Sequence, residues 1–97
     1  KLTEGVTILK EILVRRPTDI NIHNMIAEAY YDKGNFDNAI EHWDQILETD
    51  KENASALYMI GMCYQKKGQK EKGQQLCDRA IAMDPSLANL KQKKQML

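Results

Sequence analysis

The stretch Ala29-Tyr30-Tyr31-Asp32-Lys33-Gly34-Asn35-Phe36-Asp37-Asn38-Ala39-Ile40 decides how this chain folds. Before it, His23, Ile26, Ala27 and Tyr30 recur at helical spacing. After it, Phe36, Ala39, Ile40, Trp43, Ile46 and Leu47 do the same. Between the two runs stands Lys33-Gly34-Asn35. Gly34 can take the left-handed conformation that ends a helix, and Asn35 is a good residue to cap the next one. The stretch therefore predicts a helix, a tight break and a second helix running back along the first.

The pattern returns after 34 residues. Met25 falls on Met59, Ile26 on Ile60, Tyr30 on Tyr64, Lys33-Gly34 on Lys67-Gly68, Asp44 on Asp78 and Asp50 on Asp84. Other slots keep their type: Ala27 with Gly61, Leu47 with Ile81, and Gly5 with Ala39 and Gly73. Pro17 and Pro85 share a slot and end helices, since neither fits a helix interior. The spacing predicts helices over roughly 2–15, 20–33, 36–49, 54–67, 70–83 and 87–95. Strand alternation and hairpin signals are absent, so the expected class is all-α, with about six helices. A fixed period of this length is the mark of a stacked repeat array.

These residues resemble the tetratricopeptide repeat, whose pattern is W-x2-L-G-x2-Y, then A-x3-F, then P. The first copy reads His23-x2-Ile26-Ala27-x2-Tyr30, then Ala39-x3-Trp43. The second reads Leu57-x2-Ile60-Gly61-x2-Tyr64, then Gly73-x3-Cys77, then Pro85. His23, Leu57 and Cys77 replace aromatic residues and Lys51 replaces the proline. The resemblance covers the whole chain: a half-repeat at 1–19, repeats at 20–53 and 54–87, and a trailing helix at 88–97. It implies a right-handed superhelical solenoid of antiparallel helix pairs. Small residues at Gly5, Ala27, Ala39, Gly61 and Gly73 let paired helices approach, and Tyr30, Trp43 and Tyr64 fill the space beside them. Each pair leaves an apolar face that the next pair covers.

The resemblance further implies a concave groove lined by each repeat's first helix, and a protein or peptide partner lying in it. Carried over, the lining is Asn24, Met25, Glu28, Tyr31 and Asp32, then Tyr58, Met59, Met62, Gln65 and Lys66, with Lys93 on the trailing helix. Helical spacing separates this stripe from the core stripe of His23, Ile26, Ala27 and Tyr30. Tyr58 and Met62 are the leading anchors expected here. Family members that bind chaperone tails clamp a C-terminal carboxylate with Lys, Asn and Arg. The corresponding places hold Asn24 and Glu28, then Met59, then Asn89 and Lys93. Lys93 alone has the right charge and Glu28 repels a carboxylate, so that mode is not expected. A structural spacer or a self-associating scaffold is the alternative reading.

Composition narrows the rest. Fourteen basic residues balance fourteen acidic ones, which gives no basic surplus for nucleic acid. No apolar run is long enough to span a membrane, so no membrane partner is expected. Cys63 and Cys77 form no CxxC and no disulfide framework, which points to a reducing compartment. Gly68-Gln69-Lys70-Glu71-Lys72-Gly73 has the glycine spacing of a phosphate loop. It lacks the Lys and Ser or Thr that must follow, and no strand precedes it. His23 and His42 have no third ligand at metal-binding spacing, and no nucleophile–base pair emerges. No enzyme activity, cofactor or metal is expected.

Three packing expectations follow. With Ala27 against Ala39, residues equidistant from that contact face each other, which puts Trp43 close to His23. With Gly61 against Gly73, Cys77 faces Leu57 and lies too far from Cys63 for a disulfide. The first helix lacks a partner on one side, and self-association through Leu2, Val6 and Leu9 is expected there.

Overall fold

The computed structural model describes residues 2–89, with side chains from Glu4 onward. Among these residues there are five helices and no strand: α1 (Leu2–Arg15), α2 (Ile20–Asp32), α3 (Phe36–Thr49), α4 (Ala54–Lys66) and α5 (Lys70–Met83). Residues 87–89 are again helical, and the rest of the expected trailing helix, including Lys93, lies outside the described residues.

The breaks follow from local chemistry. Gly34 and Gly68 take φ of 79° and 92°, which L side chains resist. The amides just past each glycine then reach back, Asn35 to the Tyr30 carbonyl and Gln69 to the Tyr64 carbonyl, both at 2.9 Å. This 6→1 bond satisfies a carbonyl that the helix end would otherwise leave bare. The turns between repeats work differently. Asp19 and Asn53 cap α2 and α4 with side-chain oxygens that accept from the Ile22 and Ala56 amides. Asn35 stands at the cap position of α3 but makes no side-chain cap bond. The expected Asn35 cap is corrected on that point: the residue contributes its backbone amide to the preceding helix instead.

Helices α2 and α3 pack antiparallel, as do α4 and α5. Their closest points are the small residues. Ala27 and Ala39 are wholly buried. In the second pair the approach is tighter: a Cβ placed on Gly73 would sit 2.5 Å from the Gly61 carbonyl oxygen. One core cluster joins α3 to α4 through Ala39, Ile40, Trp43 and Ile46 against Ala56, Ile60 and Cys63. A second joins α4, α5 and Leu87. The two clusters meet at Leu47, Met59 and Leu76, which pack against both. Lys67 also pairs with Asp37 across the repeat boundary.

Trp43 is fully buried beside the first helix of its own repeat. Its indole Nε1–H donates to Asn24 Oδ1 at 2.9 Å, and Tyr31 meets the ring edge-on at 6.0 Å. The facing residue is therefore Asn24, one position along from His23. Cys63 and Cys77 are both buried and neither is in a disulfide. Cys77 Sγ lies 3.5 Å from the Tyr58 carbonyl oxygen, in the cluster that holds Leu57.

Helix α1 corrects two expectations. Val6 is 6% exposed and Leu9 is half-buried, because that stripe faces inward toward α2. The open face carries Ile8 and Ile12 instead, 60% and 37% exposed. The Leu2 side chain lies outside the described residues. Gly5 shares its slot with Ala39 and Gly73, yet nothing lies within 4 Å of a Cβ built on it. No described helix packs there, so its small size serves no close approach.

Candidate interaction surface

Helices α2 and α4 position the residues expected to line a groove, and the structure sorts them into three groups. Met25, Glu28, Asp32 and Lys66 are exposed, Met25 to 51%. Asn24, Tyr31, Met59, Met62 and Gln65 are half-buried. Tyr58 is only 4% exposed, packed among Ala54, Leu57, Cys77, Ala80 and Leu87. The expectation that Tyr58 is a leading surface anchor is corrected. Helix α5 and the turn after it close over its ring, and burial raises its phenol above the usual tyrosine value, with nearby Cys77 adding to the shift. Substituting Tyr58 would test packing, not recognition.

Several half-buried residues are already engaged. Asn24 accepts from Trp43 through Oδ1 and donates through Nδ2 to Glu28 Oε1 at 3.1 Å. It thereby ties the buried indole to an exposed carboxylate. Tyr31 sets its ring edge-on to Phe36 at 5.5 Å and to Trp43. Burial raises its phenol, with smaller contributions from Cys63 and Asp32. Met59 packs against both core clusters, filling space between repeats.

Met62, Gln65 and Lys66 come together with Lys70 and Gln74 around a cleft of about 350 Å³. Lys70 and Gln74 were missing from the sequence-based lining because they sit on α5, the second helix of the pair. By the 34-residue register they occupy the slots of Phe36 and Ile40, which pack into the core of the first repeat and so give no surface signal, while Lys66 occupies the slot of Asp32 and Met62 that of Glu28. The exposed positions differ in charge, acidic at Glu28 and Asp32 on α2 and basic at Lys66 and Lys70 beside the α4–α5 cleft.

A second cleft of about 350 Å³ lies between α1 and α3, lined by Lys10, Leu13, Val14, Pro17, His23, Glu41, His42 and Gln45. At its floor two buried histidines meet, with Nδ1 of His23 3.0 Å from Nδ1 of His42. His23 Nε2 lies 2.8 Å from the Pro17 carbonyl oxygen. Both histidines lie about one turn from the Ala27–Ala39 contact on facing helices, a juxtaposition that the spacing within either helix does not report.

A family model described as "Tetratricopeptide repeat" matches residues 24–88. The chain belongs to the tetratricopeptide-repeat family. Solved structures agree on the fold. One described as MamA AMB-1 superposes with a TM-score of 0.81 at 20% identity, over 88% of this chain and 50% of that one. Another MamA structure gives 0.80 at 17% identity, over 91% of this chain and 48% of that one. The N-terminal domain of stress-induced protein-1 (STI-1) from C. elegans gives 0.73 at 19% identity, over 88% of this chain and 74% of that one. This tetratricopeptide chain spans about half the length of the MamA chains that it matches.

Proposed function

We propose that the chain is a protein-binding module that takes a partner segment along the exposed edge of α2 and the cleft between α4 and α5. The difference in charge between the two repeats carries this reading: Met25, Glu28 and Asp32 are exposed on one repeat, and Met62, Lys66 and Lys70 line a cleft on the next. Methionines supply adaptable apolar contact, and the separated charges favour one orientation. The fitting partner has a basic stretch at one end, an acidic one at the other and apolar residues between. The module acts by binding. The Cys63 thiol, pushed up to about 12 by burial, is a poor nucleophile.

The test uses a peptide selected from a random library for binding to the chain. Reversing Glu28 and Asp32 together to Lys is expected to weaken it at least tenfold, about 1.4 kcal/mol, with the melting temperature nearly unchanged. Glu48→Ala, on the outer face, is expected to change neither. Equal losses from both variants would sink this reading.

Self-association is the second reading, favoured by the open face of α1. Ile8 and Ile12 share repeat slots with His42 and Ile46, which are 8% and 2% exposed. The slots that a neighbouring helix covers in α3 are bare in α1. A second copy of the chain is the occupant this reading names. Sedimentation should show concentration-dependent dimerisation that Ile8→Glu abolishes. A monomer throughout, or a dimer indifferent to Ile8→Glu, would count against it.

A further inference from the structure

The open face of α1 is shaped as well as apolar. Glu4, Ile8 and Ile12 follow one another at four-residue steps and Arg15 comes three further on, so all four stand on one stripe of the helix. Every one of them is exposed, Ile8 to 60% and Ile12 to 37%. Ile8, Glu11, Ile12 and Arg15 enclose a shallow hollow of about 290 Å³. Their spacing, i, i+3, i+4 and i+7, is that of the four-residue hole into which a facing helix inserts one side chain. The hollow is therefore shaped for a helix.

The charges around it are ordered. Arg16 pairs with Asp19 at 3.9 Å, and Lys10 lies on the other side of α1, its Nζ 5.8 Å from the centre of the Tyr30 ring. Glu11 stands one turn before Arg15, where the two attract within one helix. Glu4 and Arg15 mark the two ends of the stripe with opposite charge, roughly 16 Å apart by helical rise.

This stripe is complementary to itself. A second copy turned end for end and centred near position 10 places its Ile8 over the hollow and receives Ile8 of the first copy in its own. In the same register Glu4 meets Arg15 of the second copy at one end, and Arg15 meets Glu4 of the second copy at the other. Ile8 and Ile12 are centred on position 10, and Glu4 and Arg15 half a position earlier, so one register serves both sets of contacts. Two-fold symmetry sets the same flank of each helix side by side, which keeps Glu4 and Arg15 on one side of the seam. A parallel pair would set Glu4 beside Glu4 and Arg15 beside Arg15. Gly5 presents no side chain, and nothing lies within 4 Å of a Cβ built there, so the stem of the second copy's Arg15 has room to cross it.

We infer that two copies of the chain pair through α1 in an antiparallel, two-fold arrangement, with each Ile8 seated in the other copy's hollow and Glu4 paired with Arg15 at both ends. The inference rests on the self-association reading and gives it an orientation and a register. None of Met25, Glu28, Asp32, Met62, Lys66 and Lys70 lies on the α1 stripe, so the pair carries two copies of the proposed partner surface. A ligand with two recognition segments can then be held at both, which raises its avidity without any new contact.

Sedimentation equilibrium at low ionic strength tests the pairing, because salt screens charge contacts at an exposed seam. The unaltered chain should dimerise. Glu4→Arg alone and Arg15→Glu alone should each weaken the dimer about tenfold, since each change sets like charges together at both ends of the seam. Glu4→Arg with Arg15→Glu in one chain reverses every pair and should return the dimer to within about threefold of its original strength. Circular dichroism checks that the variants keep their helix content. If the double variant loses helix, an equimolar mixture of the two single variants takes its place. Each repels its own kind and complements the other, so the mixture should form the mixed dimer. A chain that stays monomeric at millimolar concentration would overturn both the self-association reading and the pairing, as would a dimer indifferent to Ile8→Glu. A dimer that Ile8→Glu abolishes, but that the single charge reversals leave intact or the restoring combination fails to recover, would overturn the antiparallel pairing and leave self-association through α1 standing.

Discussion

Trp43→Ala is expected to cost about 3–5 kcal/mol of folding stability, read as a drop in the urea midpoint with little change in slope. The indole is fully buried at the junction of α2, α3 and α4, in a core whose neighbours Ala39, Ile46 and Cys63 are themselves closed to solvent. Removing it leaves a cavity that short side chains such as Ala27 and Ala39 cannot fill. It also deprives Asn24 Oδ1 of its donor and Tyr31 of the ring that it meets edge-on. A small array has a marginal balance to begin with, so a loss of this size should leave a substantial unfolded fraction. A loss below about 1 kcal/mol would show that the tryptophan does not close the core.

The second large effect compares one repeat slot in two surroundings. Gly73→Ala would set a Cβ 2.4 Å from Gln65 Cγ, 2.5 Å from the Gly61 carbonyl oxygen and 2.8 Å from the Gln65 amide nitrogen. Two of those atoms are backbone, so α4 and α5 must move apart. Overpacking of this kind costs about 1–3 kcal/mol, more than the up to ~1 kcal/mol that alanine gains over glycine inside a helix. Gly5→Ala, at the equivalent place in α1, meets open space and should stabilise by about 0.5–1 kcal/mol. Thermal melts of the two variants should move in opposite directions. Melts that move together would mean that α1 is covered, or that α4 and α5 are not in contact at Gly73.

Much of the fold was legible because it rests on local rules. Lys33-Gly34 and Lys67-Gly68 announce their left-handed breaks in sequence, and the five described helices end within a residue of the periodicity estimate. The approach at Ala27–Ala39 and Gly61–Gly73 was readable because only small residues permit it. The surface was less so. Tyr58 and Met62 lie one turn apart on one stripe, yet Tyr58 is covered and Met62 is half open. What decides between them is Leu87, which follows the turn after α5 and buries itself beside Tyr58. Helical period assigns a face but not what a later element lays over it. Val6 and Ile8 pose the same problem on α1, where two apolar stripes compete and only the contact with α2 shows which faces inward. The histidine pair needed both the antiparallel register and the Pro17 carbonyl, and the second of these is a backbone atom that no side-chain pattern reports.

The proposed function places partners on the edge of α2 and at the α4–α5 cleft. Mapping a library-selected peptide onto the chain by amide chemical-shift perturbation tests it most directly. Shifts should gather on residues 24–32 and 62–70, with the exposed positions of α3, such as Glu48, unmoved. Shifts centred on the outer faces of α3 and α5, or on α1 alone with the inner residues silent, would contradict it.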